Sequence, residues 1–180
     1  MRLRLRSIAA LTVAALMAAG GVSAQTARLS DRDVKALMQS VDQARDRFED
    51  ALDSTLKRSV IRGPKGEVDI ARFLDDLQEN VKGLPDRFKP EYAASNEVLT
   101  VLRQGTDIEG FVRRQAPTFK GRSEWDRLAG ELGKLAAAYA TAFPLPPDAG
   151  ARRINDGEVA KTADLIATNA NTFAKTAKDT

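Results

Sequence analysis

Along most of this chain the apolar residues step by three and four, and that spacing limits the fold more than any other feature. Val34, Leu37, Val41, Ala44, Phe48 and Ala51 keep it, with Met38 and Leu52 beside them. Trp125, Leu128, Leu132, Leu135, Tyr139 and Ala142 repeat it as the cleanest heptad, and Val159, Ala163, Ile166, Ala170, Phe173 and Ala177 repeat it again. Side chains three and four apart share one face of a helix. No run alternates apolar and polar residues for long enough to predict a strand. The chain is expected to be all-α.

The helix signals divide it further. Ser30 is a candidate N-cap for a first helix, about 31 to 58. Gly63-Pro64-Lys65-Gly66 reads as a turn. A second stripe runs from Ile70 to Leu102 without losing phase across Gly83, Pro85 and Pro90. Proline breaks or kinks a helix. The unbroken phase predicts two pieces, about 69 to 83 and 86 to 104, that stay collinear as one kinked arm ended by Gly105. Thr106 with Glu109 predicts a capping box for a short extra helix, about 107 to 115. Ser123 opens the next helix, and Asn155 with Glu158 caps the last. Four arms with narrow apolar stripes predict an antiparallel four-helix bundle with one kinked arm and a short extra helix.

The N-terminus has a different character. Arg2, Arg4 and Arg6 precede an apolar run from Ile8 to Ala19, then Gly20-Gly21 and the small residues of Val22-Ser23-Ala24. This is the layout of a secretory signal peptide, and the run is shorter than the roughly 20 residues a spanning helix needs. Residues 1–24 are expected to be removed, leaving 25–180 as a single helical domain in the bacterial periplasm or outside the cell, with no stable membrane anchor. The chain's net charge of +3 resides in those three arginines; without them 25 basic and 25 acidic residues remain. A balanced chain gives no ground for nucleic-acid binding.

The chain has no cysteine and no histidine. Thiol nucleophiles, Ser-His-Asp triads and the usual zinc and haem sites are thereby excluded. No catalytic residue, cofactor or metal ligand is expected. Asp42, Asp46, Glu49, Asp50 and Asp53 form an acidic stripe opposite the apolar face of the first helix. Carboxylates strung along a rod do not converge as calcium requires, so the stripe reads as a solvated face. No core stripe shows an ionisable group.

The segment between the last two helices, AFPLPPDAGARRIND, is longer than a helix hairpin needs. Phe143, Leu145, Pro146, Pro147, Arg152 and Arg153 are the candidate partner-binding residues. The structural alternative is a lid, with Phe143 and Leu145 closing the core and both arginines in solvent. The functional expectation is a non-enzymatic binding protein with an unidentified protein partner. The alternatives are a carrier or sensor with a small-molecule pocket between helices, or an enzyme of unfamiliar type at a bundle end. Nothing in the sequence specifies an oligomeric state.

Overall fold

The structure, a computed structural model, describes residues 28–63 and 66–177. The expected signal segment 1–24, and Pro64 and Lys65 of the expected turn, lie outside the described residues. Among those described, the chain is mainly helical: α1 (Asp31–Ala51), α2 (Ser54–Lys57), α3 (Ile70–Arg87), α4 (Ser95–Arg113), α5 (Arg122–Ala138) and α6 (Asp156–Thr176). One antiparallel hairpin, β1 (Val60–Gly63) and β2 (Gly66–Asp69), lies between α2 and α3. No described helix is long and apolar enough to cross a membrane.

The cap at Ser30 forms as its sequence predicts: the hydroxyl accepts from the Asp33 N–H at 3.1 Å. The first helix stops earlier than expected, at Ala51. Leu52 is extended, and the Asp53 carboxylate accepts from the N–H groups of Thr55 and Leu56, both at 2.9 Å, starting the single turn of α2. A short acidic side chain that offers the backbone an alternative partner is a common reason for such a break. Asp53 is therefore a cap and not part of the acidic stripe.

The hairpin corrects the expectation of no strands. Ile61 pairs with Val68 and both face inward, while Arg62 and Glu67 pair outside with an ion pair at 3.1 Å. Four-residue strands are too short to display an alternation that stands out from chance.

The kinked arm is also corrected. Pro85 sits in the last turn of α3, which ends at Arg87. Lys89 and Tyr92 then exchange backbone hydrogen bonds of 2.9 and 3.0 Å around Pro90. Ala94, in the left-handed region at φ 53°, leads into α4. Since α3 and α4 pack against each other, they are two layers and not one collinear rod. The short extra helix is absent because α4 runs through Gly105 and Thr106 to Arg113. Gly105 serves packing: a Cβ there would lie 2.7 Å from Leu132 and 3.0 Å from Phe143. Thr106 donates back to the Leu102 carbonyl at 2.8 Å instead of capping.

The core lies inside a closed circuit of contacts in which α1 meets α3 and α5, and α4 meets the same two helices. Phe48 of α1 packs on Trp125 of α5 with ring centroids 5.4 Å apart. The sixth helix takes no part in this core, since none of its residues is buried. The bundle arms expected from the sequence are thus redistributed: the arm assigned to 155–177 is outside.

Trp125 donates its indole N–H to Glu109 at 2.7 Å, and Arg113 donates to the same carboxylate at 2.6 Å. Burial opposes the charge on Glu109, but these hydrogen bonds and the Arg113 and Arg122 charges outweigh it and hold the carboxyl below its usual range. A carboxyl depressed by folding contributes stability that is present above its unfolded pKa of about 4.3 and is lost as pH falls through the lower folded value. Glu109→Gln is therefore expected to lose less stability than the parent between about pH 5 and pH 2. Urea titrations followed by the emission of Trp125, the chain's one tryptophan, measure this; equal losses would contradict it.

Candidate interaction surface

The six candidate residues do not form one patch. Phe143 packs on Trp125, with centroids 6.5 Å apart, and Leu145 is buried, its N–H donating to Thr106 Oγ1 at 2.8 Å. These two cover the core as the lid alternative expects. Pro146 and Pro147 are exposed and, with Leu145, Arg62, Arg103 and Asp107, line a cavity of about 490 Å³ beside α4 and β1. Arg152 and Arg153 line a different groove.

Arg153 corrects the lid alternative, which placed it in solvent. Its side chain is 2% exposed and pairs with Asp31 at 2.9 Å. The same guanidinium donates to the Leu29 carbonyl at 2.6 Å and lies 5.9 Å from the centre of the Phe88 ring. Its Nε is buried without a partner. The Arg152 side chain is exposed, while its backbone N–H is held by the Tyr139 carbonyl at 2.9 Å.

Around Arg153 the starts of α1 and α6 are joined. The Asp31 N–H donates to Asp156 at 3.0 Å, and the Asp156 N–H donates to Asp31 at 2.8 Å. Each carboxylate thus sits at the positive end of the other helix, where negative charge is favoured. Arg28 pairs with Asp156 at 2.6 Å and donates to the Ile154 carbonyl at 2.9 Å. The Asp31 N–H, followed by Arg28, holds the Asp156 carboxyl below its usual range. Asn155 is fully buried, completes the capping box with Glu158, and donates to the Lys89 carbonyl at 3.1 Å. A Cβ on Gly157 would meet the Pro90 carbonyl oxygen at 2.7 Å, so the backbone of α6 rests on the 89–92 turn.

Beyond this root α6 leaves the core. It has 21 residues, about 32 Å at 1.5 Å per residue, and every one from Glu158 to Ala177 is exposed. Its large apolar side chains are Val159, Leu165, Ile166 and Phe173, the last 76% exposed. At the root opens a groove of about 760 Å³. Leu29, Ala137, Ala138, Ala140 and Ile154 give it apolar walls, and Arg28, Lys134, Arg152 and Arg153 give it positive charge. Lys134 also pairs with Glu131 at 2.7 Å.

Two further clusters escaped the sequence. Arg45 of α1 is 1% exposed, where no ionisable core group was expected. Its guanidinium meets Asp46 and Glu49, and Gln78 of α3, turned with its oxygen inward, accepts from it and from Lys82. The acidic stripe is therefore not wholly a solvated face, since two of its carboxylates hold a buried cation. The Arg45–Glu49 spacing was legible; its burial was not. Separately, Asn80 donates to the buried Gln104 at 2.9 Å beside a cavity of about 140 Å³ walled by Val68 and Phe73.

Among the described residues no three acidic side chains gather as a metal site would need. Compared with protein-family models, curated proteins and solved structures, the chain matches none.

Proposed function

We propose that this chain is an exported, non-enzymatic interaction protein that docks a protein partner along α6. The observation that carries the reading is an amphipathic helix with a fixed root and no buried residue. Helices in proteins owe most of their stability to packing of an apolar face. A contiguous exposed apolar face on a folded protein marks an interaction surface more often than it marks nothing. The caps exchanged by Asp31 and Asp156, and the buried Asn155, hold the helix in one direction at the root. The arginine-rich start, the short apolar run and Val22-Ser23-Ala24 support export. We also infer that α1, α3, α4 and α5 form an antiparallel four-helix bundle as the rigid base; their closed circuit of contacts supports this.

A carrier function is the second reading, and it would rest on the cavity beside Asn80 and Gln104. At about 140 Å³ it falls below the roughly 300–1,000 Å³ of most ligand pockets, which favours the interaction reading.

A photo-crosslinking residue in place of Ile166, introduced in a bacterial host, tests the proposal. Discrete protein adducts are expected there and not at Arg127, an exposed position on α5. The mass of the chain in the periplasmic fraction should begin at Gln25. Equal adduct yields at the two positions would remove α6 as the docking surface.

A further inference from the structure

We propose that the partner covering α6 is a second copy of this chain, paired antiparallel along α6 with Ile166 at the two-fold axis. This rests on the reading of α6 as a docking surface.

The stripe is built to match its own reverse. Val159 stands seven residues before Ile166 and Phe173 seven after, with Ala163 and Ala170 between them. Reversing one helix about Ile166 sets Val159 against Phe173 and brings the alanines to neighbouring levels. Bulky residues spaced by seven with small residues between suit knobs-into-holes packing at close approach.

Charge sets the direction. The first turn of α6 holds Asp156 and Glu158, and the last holds Lys175. Parallel pairing would lay acid beside acid and Lys175 beside Lys175. Antiparallel pairing opposes the unlike ends and their dipoles. The same register carries the argument to the groove. Ala177 lies eleven residues after Ile166, and Asn155 lies eleven before it. The C-terminal turn of one α6 thus arrives level with the root of the other, where the groove lined by Ile154, Arg28, Lys134 and Arg152 opens. The negative end of a helix meets the exposed Arg152 there, since Arg28, Lys134 and Arg153 already pair with Asp156, Glu131 and Asp31, and the exposed Phe173 gains apolar surroundings from Val159. A membrane surface fits less well, because α6 lacks the strongly basic polar face that lipid-bound helices carry. Its charged residues are Asp156, Glu158, Lys161, Asp164 and Lys175.

Sedimentation equilibrium of the chain recovered from the periplasmic fraction tests the pairing. Twice the chain mass is expected. Ile166→Asp should return it to the monomer mass and melt with the thermal transition of the diluted, monomeric parent, because α6 lies outside the core. Arg152→Glu should shift the equilibrium toward monomer. The chain lacks cysteine, so introduced thiols report register directly. Val159→Cys mixed with Phe173→Cys should give a mixed covalent dimer on oxidation. Covalent dimers from Val159→Cys alone would mark parallel pairing and overturn the proposal. A monomer mass for the parent would overturn it too. If that monomer still forms protein adducts through Ile166, self-pairing fails while the docking role of α6 stands. If vesicles of anionic lipid deplete it from solution and no adducts form, both fail.

Discussion

Replacing Asp46 with Asn and Glu49 with Gln together lowers the free energy of unfolding by about 3 kcal/mol, because it strips the carboxylates from a buried guanidinium. Removing the partners of a buried ion leaves a charge that cannot regain its hydration, at a cost of roughly 3–5 kcal/mol. The lower figure applies because Asp46 is half-exposed and water reaches part of the cluster. Adding Arg45→Met to the double variant should recover most of the loss. An apolar side chain of similar reach serves that position without any counter-charge. Equilibrium denaturation of the parent, double and triple variants measures the cycle. A double variant within about 0.5 kcal/mol of the parent, the range of ordinary surface changes, would mean that Arg45 reaches solvent. The sequence alone predicts that small value, since an acidic helix face without a buried partner is indifferent to such changes.

Phe48→Ala should cost about 3–5 kcal/mol, the range for removing a buried aromatic side chain. Phe48 is fully buried and packs at a tilt against Trp125, which packs in turn on Phe143. The cavity would open between α1 and α5, the pair that brings the first helix and the heptad of the fifth together. Phe173→Ala is the internal comparison. The two side chains are chemically identical and both sit on helical stripes, yet Phe173 is 76% exposed. At concentrations where the chain is monomeric, that change should leave the melting transition in place. A loss at Phe173 as large as that at Phe48 would place α6 in the core.

That contrast separates what is local from what is not. Helix content, the caps at Ser30 and Asn155, and the apolar stripes follow from side-chain spacing and from groups a few residues apart. The sequence alone determined these, because a helix satisfies its backbone within its own length. Tertiary structure decided which stripes found partners. The phase from Ile70 to Leu102 is continuous, yet the chain turns between Phe88 and Ala94 so that α3 and α4 pack on each other, since periodicity along a line carries no record of a turn in space. Gly105 looks like a helix end in sequence but is a point of close approach to Leu132 and Phe143. Arg45 looks like a surface residue, and α3 buries it. Of the six candidate residues, the apolar pair was legible as a cover for the core. The burial of Arg153 was not, because it depends on Asp31 at the far end of the chain. The stripe on α6 is as regular as those inside, yet among the described residues no helix buries it, because the path of the rest of the chain settles which stripes find partners.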